Sequence, residues 1–567
     1  MSQRASREDV IQQDVRDLHR LGYAQELFRS MGGFSNFAIS FSIISILTGA
    51  VILYDYGLAW AGTAASLLGW PLVTVFVLCI AASMAEVASA YPTAGGLYYW
   101  ASRMQNKNWG WWTAWLNLIG QFAIVAGINY AAALFVNATI ITPLTGGAYS
   151  NTTVFFGDPA FGAEGPALSG ALVTMAALLA VQLALNIAGV RVVALLNQIS
   201  VWWHIFFVVV IAGALFILGT QSTTADAGLT LFAIQPLDTA GIWDNTFPVG
   251  SENPWFSFAY GPAVTYPIVL AFFFSLLQAN WTYTGYDASA HVAEETLGAR
   301  RASAWGIFLS VAVSAVAGYI FLVAITTHLP DLTPLFPPVL EDAAVYSQYY
   351  FGDGAAVLYT LTENLGAGLG GILGGAIAIA MVFCGLSSVA SAGRMLYAFS
   401  RDDGIPGSGW LKKVSHRYRT PANALTAMVI GAFILTFLAF WVGRGIAVVI
   451  VTAVSTIFLY AAYGIPIYLG LTTEAWKGER VWSLGRWSRP VAVVALIWIV
   501  VLMGLFSFPT SGNISWPFMV GILVFLLVYY FGWARRRFQG PRVMGREEEL
   551  TEIEREFEEA AREVAPA

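Results

Sequence analysis

Gln278-Ala-Asn-Trp-Thr-Tyr-Thr-Gly-Tyr-Asp287 sits inside an apolar stretch that runs roughly from residue 266 to residue 292. Amides, hydroxyls, a glycine and a carboxylate do not suit an unbroken helix in hydrocarbon. Backbone that leaves the helix at membrane depth must line a cavity or be covered by protein. Gly285 admits dihedral angles that other residues avoid, and neighbouring hydroxyls can satisfy the freed amides and carbonyls. The stretch therefore reads as a membrane helix broken near its middle. A second segment has the same character. Gly32-Gly33-Phe-Ser-Asn-Phe-Ala-Ile-Ser-Phe-Ser-Ile-Ile-Ser-Ile-Leu-Thr-Gly49 carries Ser35, Asn36, Ser40, Ser42, Ser45 and Thr48 within one apolar run.

The rest of the chain explains why these are membrane segments. Of 567 residues, 57% are hydrophobic and only 11% charged, against about 25% charged in a soluble domain. Apolar runs of about 20 residues, enough to span a bilayer, recur about twelve times. They fall near 33–56, 64–90, 109–136, 168–188, 195–219, 266–292, 304–326, 364–398, 422–441, 445–470, 490–508 and 516–534. The expected class is all-α integral membrane. Three long polar loops, Asn137 to Leu168, Thr220 to Ala263 and Thr327 to Thr360, contain no Lys or Arg. Every Lys and Arg except Arg444 falls on the other side of the spans. Positive charge resists translocation, so both termini are expected in the cytoplasm and the bare loops outside. An even number of spans agrees.

Basic clusters at Lys412-Lys413 and Arg535-Arg536-Arg537 adjoin helix ends, where topology accounts for them without nucleic acid. Cys79 and Cys384 lie in apolar runs and read as small buried residues, not a disulfide pair. The polar, acid-bearing N-terminus is not a signal peptide. Residues 7–28 read as an amphipathic helix on the inner membrane face. Arg546 to Val564 reads as a second amphipathic helix, solubilising or docking in role. No His-Glu-x-x-His or other metal or nucleophile constellation is present, so no cofactor, metal or enzymatic chemistry is expected.

The two unusual helices are the first and the sixth, five helices apart. Interrupted segments at matching positions of two halves point to an inverted repeat with a site between them. The alternative is that small and polar residues merely let helices pack closely. An intramembrane acid such as Asp287 favours the cavity.

Four motifs then carry a family likeness. They are Met31-Gly-Gly-Phe-Ser-Asn-Phe37, Ala85-Glu86-Val-Ala-Ser-Ala-Tyr-Pro-Thr-Ala-Gly-Gly96, Trp281-Thr-Tyr-Thr-Gly-Tyr-Asp287 with Glu294-Glu295, and Arg394-Met-Leu-Tyr-Ala-Phe-Ser-Arg-Asp-Asp-Gly-Ile-Pro406. In this order they resemble the amino acid–polyamine–organocation (APC) permeases, in the amino-acid and choline branch. The resemblance implies a LeuT-like fold of two inverted five-helix repeats, residues 31–219 and 265–470. Around these lie an N-terminal segment 1–30, an outer loop 220–264, two added helices in 471–535 and an acidic tail 536–567. It also implies a site between helices one, three, six, eight and ten. There the broken helix one, at Ser45, Ile46, Leu47, Thr48 and Gly49, would meet a substrate carboxylate, as helix N-termini favour anions. Where many relatives place two glycines, this chain has Leu47-Thr48-Gly49.

Trp281 matches an aromatic that covers the substrate, and an indole can also hold a cationic amine. Thr282, Tyr283, Thr284 and Gly285 complete the helix-six wall, with Tyr286 as a further aromatic. Gln121 and Asn129 of helix three can reach the cavity or bond between helices. For coupling, Asp287 is the intramembrane acid. His204 in helix five lies where proton-coupled relatives often carry a Lys, and it can titrate near physiological pH. Ser387 and Ser388 offer hydroxyl oxygens to a sodium ion. Glu86 and Arg394 fit an inner gate or a structural pair.

The expected function is a secondary transporter in the plasma membrane. It would import a small amino acid or amino-acid-like amine, such as γ-aminobutyrate, by alternating access. A proton is the expected coupling ion and sodium the alternative. A carrier of a cationic amine, choline or a polyamine, is the rival.

Overall fold

The computed structural model describes residues 6–156, 168–235, 268–332, 355–415, 417–443, 447–507 and 515–564. Most of the outer loop 220–264, parts of the other two bare loops and Arg444 lie outside these residues. Among the described residues, eleven helices are long and apolar enough to cross a membrane. They span Gly33–Ile52 (helix one), Ala65–Ala90 (two), Lys107–Leu144 (three), Gly170–Ile187 (four), Val190–Leu218 (five), Ala299–Thr327 (seven), Ala355–Arg401 (eight), Ala422–Ala439 (nine), Ile450–Thr472 (ten), Gly485–Ser507 (eleven) and Phe518–Arg537 (twelve). Helix six is the shorter apolar piece Ile268–Thr282 followed by a break and an inner piece, Ala288–His291. Together these make the twelve segments expected, in the expected order.

Three boundaries differ instructively. Helix eight starts early, at Ala355, but Gly366 is non-helical at φ 76° and ψ 159°. A short helix that the sequence reading placed in the outer loop therefore precedes the membrane part. Helix three runs on through a π-helical turn, Asn137–Ile141. Helix five starts at Val190, because Gly189, at φ 119°, ends the tight turn from helix four.

Burial sorts the helices. Helix one is 94% buried and helix ten 89%, whereas helix twelve is 22% buried. Helices one, three, six, eight and ten form the centre, and eleven and twelve lie at the periphery. Lipid faces carry exposed apolar residues such as Trp202, Phe206 and Val209 on helix five, as a bilayer solvent requires.

Both tails pack at one end of the bundle. The N-terminal helix, Arg7–Arg20, begins with a capping box at Ser6 and Asp9. Its buried face holds Asp14, Asp17 and Leu18, so it docks on protein. Asp14 accepts hydrogen bonds from the Gly298 and Ala299 amides, at 2.8 and 3.2 Å. These are the first amides of helix seven, and a carboxylate there complements the helix dipole. The C-terminal helix, Glu547–Val564, meets the same tail through Glu554, which faces His19 at 2.8 Å and accepts from the Gln25 amide at 2.7 Å.

Candidate functional site

Helix one is broken at Ser45. Gly33–Ile44 and Ile46–Ile52 are helical, and Ser45 between them has φ 32° and ψ 86°. A left-handed serine is costly unless its surroundings hold it. Its hydroxyl lies 2.7 Å from His204 Nε2 and 2.6 Å from Thr48 Oγ1. His204 Nδ1 is 2.8 Å from the Ser200 carbonyl. Nδ1–H therefore donates to that carbonyl, Nε2 accepts from Ser45, and Ser45 accepts from Thr48. The ring is complete as a neutral imidazole. The Cys384 thiol donates to the Ile43 carbonyl at 3.2 Å, a carbonyl freed by the break. The Thr48 and Gly49 amides return to the Ser45 carbonyl at 2.8 and 2.9 Å. The Ile46 and Leu47 amides open the second half-helix, where amides lack intrahelical acceptors.

Helix six breaks alongside. Leu277–Thr282 and Ala288–His291 are joined by a turn centred on Gly285, at φ 89°. A Cβ on Gly285 would collide with Ile43, so glycine is required both by dihedral and by space. The Gly285 amide donates to the Tyr463 hydroxyl of helix ten at 3.2 Å. The two broken helices touch at Gly49, where a Cβ would fall 2.7 Å from Thr282 Cα.

A narrow cavity of about 10 Å³, room for about one water molecule, lies where the breaks meet. Helix one contributes Ile43, Ile44, Thr48 and Gly49. Helix three contributes Ile124 and Ile128, helix six Trp281, Thr282 and Thr284, and helix eight Cys384. Trp281 is 3% exposed, and its indole N–H donates to Ser455 Oγ of helix ten at 2.9 Å. That bond fixes the ring in the wall.

Of the residues singled out from sequence, Thr48, Gly49, Trp281, Thr282 and Thr284 line this cavity. Ser45, Ile46, Leu47 and Gly285 form the two breaks beside it. Tyr283 points elsewhere, bonding Thr74 at 2.6 Å and packing on Trp70 with ring centroids 4.6 Å apart. Tyr286 packs on Tyr463 at 5.0 Å. Gln121 turns to Asp287 at 3.2 Å, and Asn129 donates to Val125 of its own helix at 2.9 Å.

Asp287 is fully buried and collects four partners. Asn117 Nδ2 donates at 3.0 Å, Gln121 Nε2 at 3.2 Å and Tyr463 OH at 2.9 Å, while His291 Nε2 lies 3.2 Å away. Ser387 Oγ lies 2.5 Å from Asn197 Oδ1 and 2.9 Å from Phe383 O, the two acceptors within reach of its one proton. Ser388 donates to Gly385 O at 2.8 Å.

Glu86 and Arg394 are not partners of one another. Glu86 bonds Arg480 at 2.9 Å, Ser488 at 2.7 Å and the Leu484 amide at 2.8 Å, tying helix two to the start of helix eleven and the segment before it. Arg394 pairs with Glu295 at 2.6 and 3.0 Å, and Arg401 with Glu294 at 3.0 and 2.9 Å. These two forked, buried pairs lock the exit of helix six to helix eight at the tail-bearing end. Sequence reasoning missed Ile43, Ile124, Ile128, Cys384, Ser455, Tyr463 and His291. Only the spacing of Gln121, Ile124 and Ile128 on one face of helix three hinted at any of them.

The chain matches the family model described as "Amino acid permease" over residues 31–530. It is 34% identical over 546 residues to "Amino-acid permease BAT1" of Arabidopsis thaliana, covering 92% of this chain and 95% of that protein. It is 33% identical to the BAT1 homolog of Oryza sativa subsp. japonica, covering 92% and 94%. A "Putative polyamine transporter" of Candida albicans is 26% identical, covering 95% and 91%. The crystal structure of MhsT in complex with L-phenylalanine superposes with a TM-score of 0.53 at 15% identity, covering 85% of this chain and 99% of that one. That likeness concerns the fold, which is LeuT-like.

Proposed function

We propose, from the premise that this chain belongs to the amino acid permease family, that it imports a small amino acid or amino-acid-like amine such as γ-aminobutyrate. It is a multi-pass membrane transporter and not an enzyme. The proposed setting is the plasma membrane, with both tails cytoplasmic as the charge asymmetry argues. The observation that carries the reading is the abutment of two broken helices on one small shared cavity. Broken helices at a repeat interface supply backbone groups to a substrate at mid-membrane.

In this reading the substrate carboxylate meets the opened turn at Ser45, Ile46 and Leu47. The amine meets the Trp281 face and the carbonyls of the helix-six break. The cavity is closed down to about one water's volume, so helices one and six must part before a substrate enters. Alternating access moves helices one and six against the rest of the bundle, and an inward proton gradient drives accumulation.

A cationic amine is the second reading, and the Candida relative's printed description favours it. Against it, the described residues lining the cavity include no carboxylate. A zwitterion brings its own negative charge, whereas a polyamine would enter an uncharged wall, which is costly.

Purified protein in liposomes, offered radiolabelled alanine, γ-aminobutyrate, choline and putrescine with and without an inward proton gradient, tests this. Gradient-stimulated uptake of alanine or γ-aminobutyrate supports the reading. Uptake confined to choline or putrescine replaces it with the second.

A further inference from the structure

We propose that Asp287 and His291 together hold one exchangeable proton and that this pair is where the coupling proton loads. The inference rests on the transport reading above and names the residues that would carry its coupling.

The two residues stand one turn apart on the inner half of helix six, and both side chains are fully buried. His291 Nδ1 lies 3.0 Å from the Ala94 carbonyl and Nε2 lies 3.2 Å from Asp287 Oδ2. A neutral imidazole has one N–H and one lone pair, yet with Asp287 ionised both ring nitrogens here face acceptors. One lone pair would then point at an oxygen in a fully buried site. One additional proton removes the conflict. It sits on the ring, as imidazolium beside carboxylate, or on Asp287, whose O–H then donates to Nε2. Loading forms one N–H or O–H bond, and unloading breaks it with loss of one positive charge. His204 offers no such demand, because it faces one carbonyl and one hydroxyl donor.

The groups around the pair are nearly all uncharged. Helix three supplies Asn117 and Gln121, helix ten Tyr463 and helix six Tyr286. Helix one faces this piece of helix six with the hydroxyl of Ser40. The nearest acids towards the tail-bearing end, Glu294 and Glu295, are paired with Arg401 and Arg394. The proton held by the pair therefore changes the charge of a low-dielectric site where charge is felt strongly.

Two contacts connect this charge to movement. Ala94 accepts from His291 with its carbonyl and donates to Glu294 with its amide at 3.0 Å, so it clamps inner helix six to the turn after helix two. Tyr463 donates to Asp287 and accepts from the Gly285 amide at the break, next to Thr284 of the cavity wall. Loss of the proton opposes the Ala94 clamp, and substrate in the cavity acts on the same piece through Gly285.

The test uses two readouts. In nitrogen-15 histidine spectra of the full-length protein in nanodiscs, assigned with His291→Gln, the pair is expected to show a doubly protonated ring. Alternatively, a protonated-carboxyl infrared band appears and vanishes in Asp287→Asn. A neutral ring with no such band overturns the shared proton. In liposomes, His291→Gln presents two fixed N–H donors to the same acceptors and needs no proton. It is expected to exchange labelled alanine or γ-aminobutyrate while gradient-driven accumulation falls to the no-gradient level. Wild-type accumulation in His291→Gln overturns the assignment and leaves the transport reading intact. No uptake or exchange of any compound by the wild type overturns the transport reading, and the spectra then judge the pair independently.

Discussion

Trp281 shows how much one side chain here is decided by its neighbours. Its ring forms a wall of the cavity because Ser455 holds the indole N–H and Gly127 of helix three leaves room for the ring edge. Trp281→Ala should lower the uptake rate about tenfold or more, since an indole–cation contact and its packing are together worth on the order of 1–2 kcal/mol. Surface expression should stay near normal. Uptake at the wild-type rate would remove Trp281 from the site. His204 is the complementary case. As a neutral bridge between Ser200 and Ser45 it holds the helix-one break. His204→Gln should therefore slow transport yet keep its stimulation by a proton gradient. If stimulation vanished while exchange persisted, the proton would belong on helix five.

At the scale of the element, the two breaks behave as one unit. Gly49 meets Thr282, and Gly285 meets Ile43, so each half-helix sits against the other's gap. Gly285→Ala combines a left-handed backbone angle with a collision. It should abolish uptake while the protein still inserts, as judged by detergent-resistant monodispersity against a transport assay. The inner end of helix six is held by two buried ion pairs. Removing one partner of a buried pair costs about 3–5 kcal/mol, so Arg394→Ala should lower the thermal midpoint markedly. Loss of no more than a degree or so would show that Glu295 finds another partner.

The breaks themselves were legible in the sequence, because hydroxyls, glycines and an acid stand out in an apolar run. Their partners were not. Asn117 and Tyr463 are ordinary helix residues until folding brings helices three and ten to Asp287, and Gln121, which stands out in helix three, gains Asp287 as its partner only then. The same reason separates Tyr283 from Trp281: two positions along a helix turn a side chain away from the cavity towards helix two.

For the whole molecule, the tails close over the end from which helix six leaves. Asp14 caps helix seven, Arg29 donates to the Ala293 and Thr296 carbonyls, and Asp402 accepts from Tyr23, Tyr98 and the Arg542 amide. Burial raises the Asp14 carboxyl above its ordinary value, with Arg29 opposing. Burial likewise raises Asp402, with Arg401 opposing. A carboxyl raised in the docked state favours docking below its ordinary value, and that contribution is lost as pH rises through the raised value. The protection factors of amides in residues 7–20, exchange rates corrected for the intrinsic pH dependence, should therefore rise as pH falls towards the carboxylate range. Asp14→Asn should flatten that dependence; an unchanged slope would assign it to Asp402 or another group.

Membrane class, the number of spans, the two interrupted helices and the family were all readable from the chain alone. Each depends on local composition: apolar length, charge placement, and residues that cannot continue a helix in lipid. The size of the cavity, the neutral setting of His204, the ion pairs of Arg394 and Arg401, and the Asp287–His291 contact were decided only by tertiary structure. Those depend on which faces of distant helices meet, and helical periodicity in a helix that is apolar nearly all round leaves that choice open.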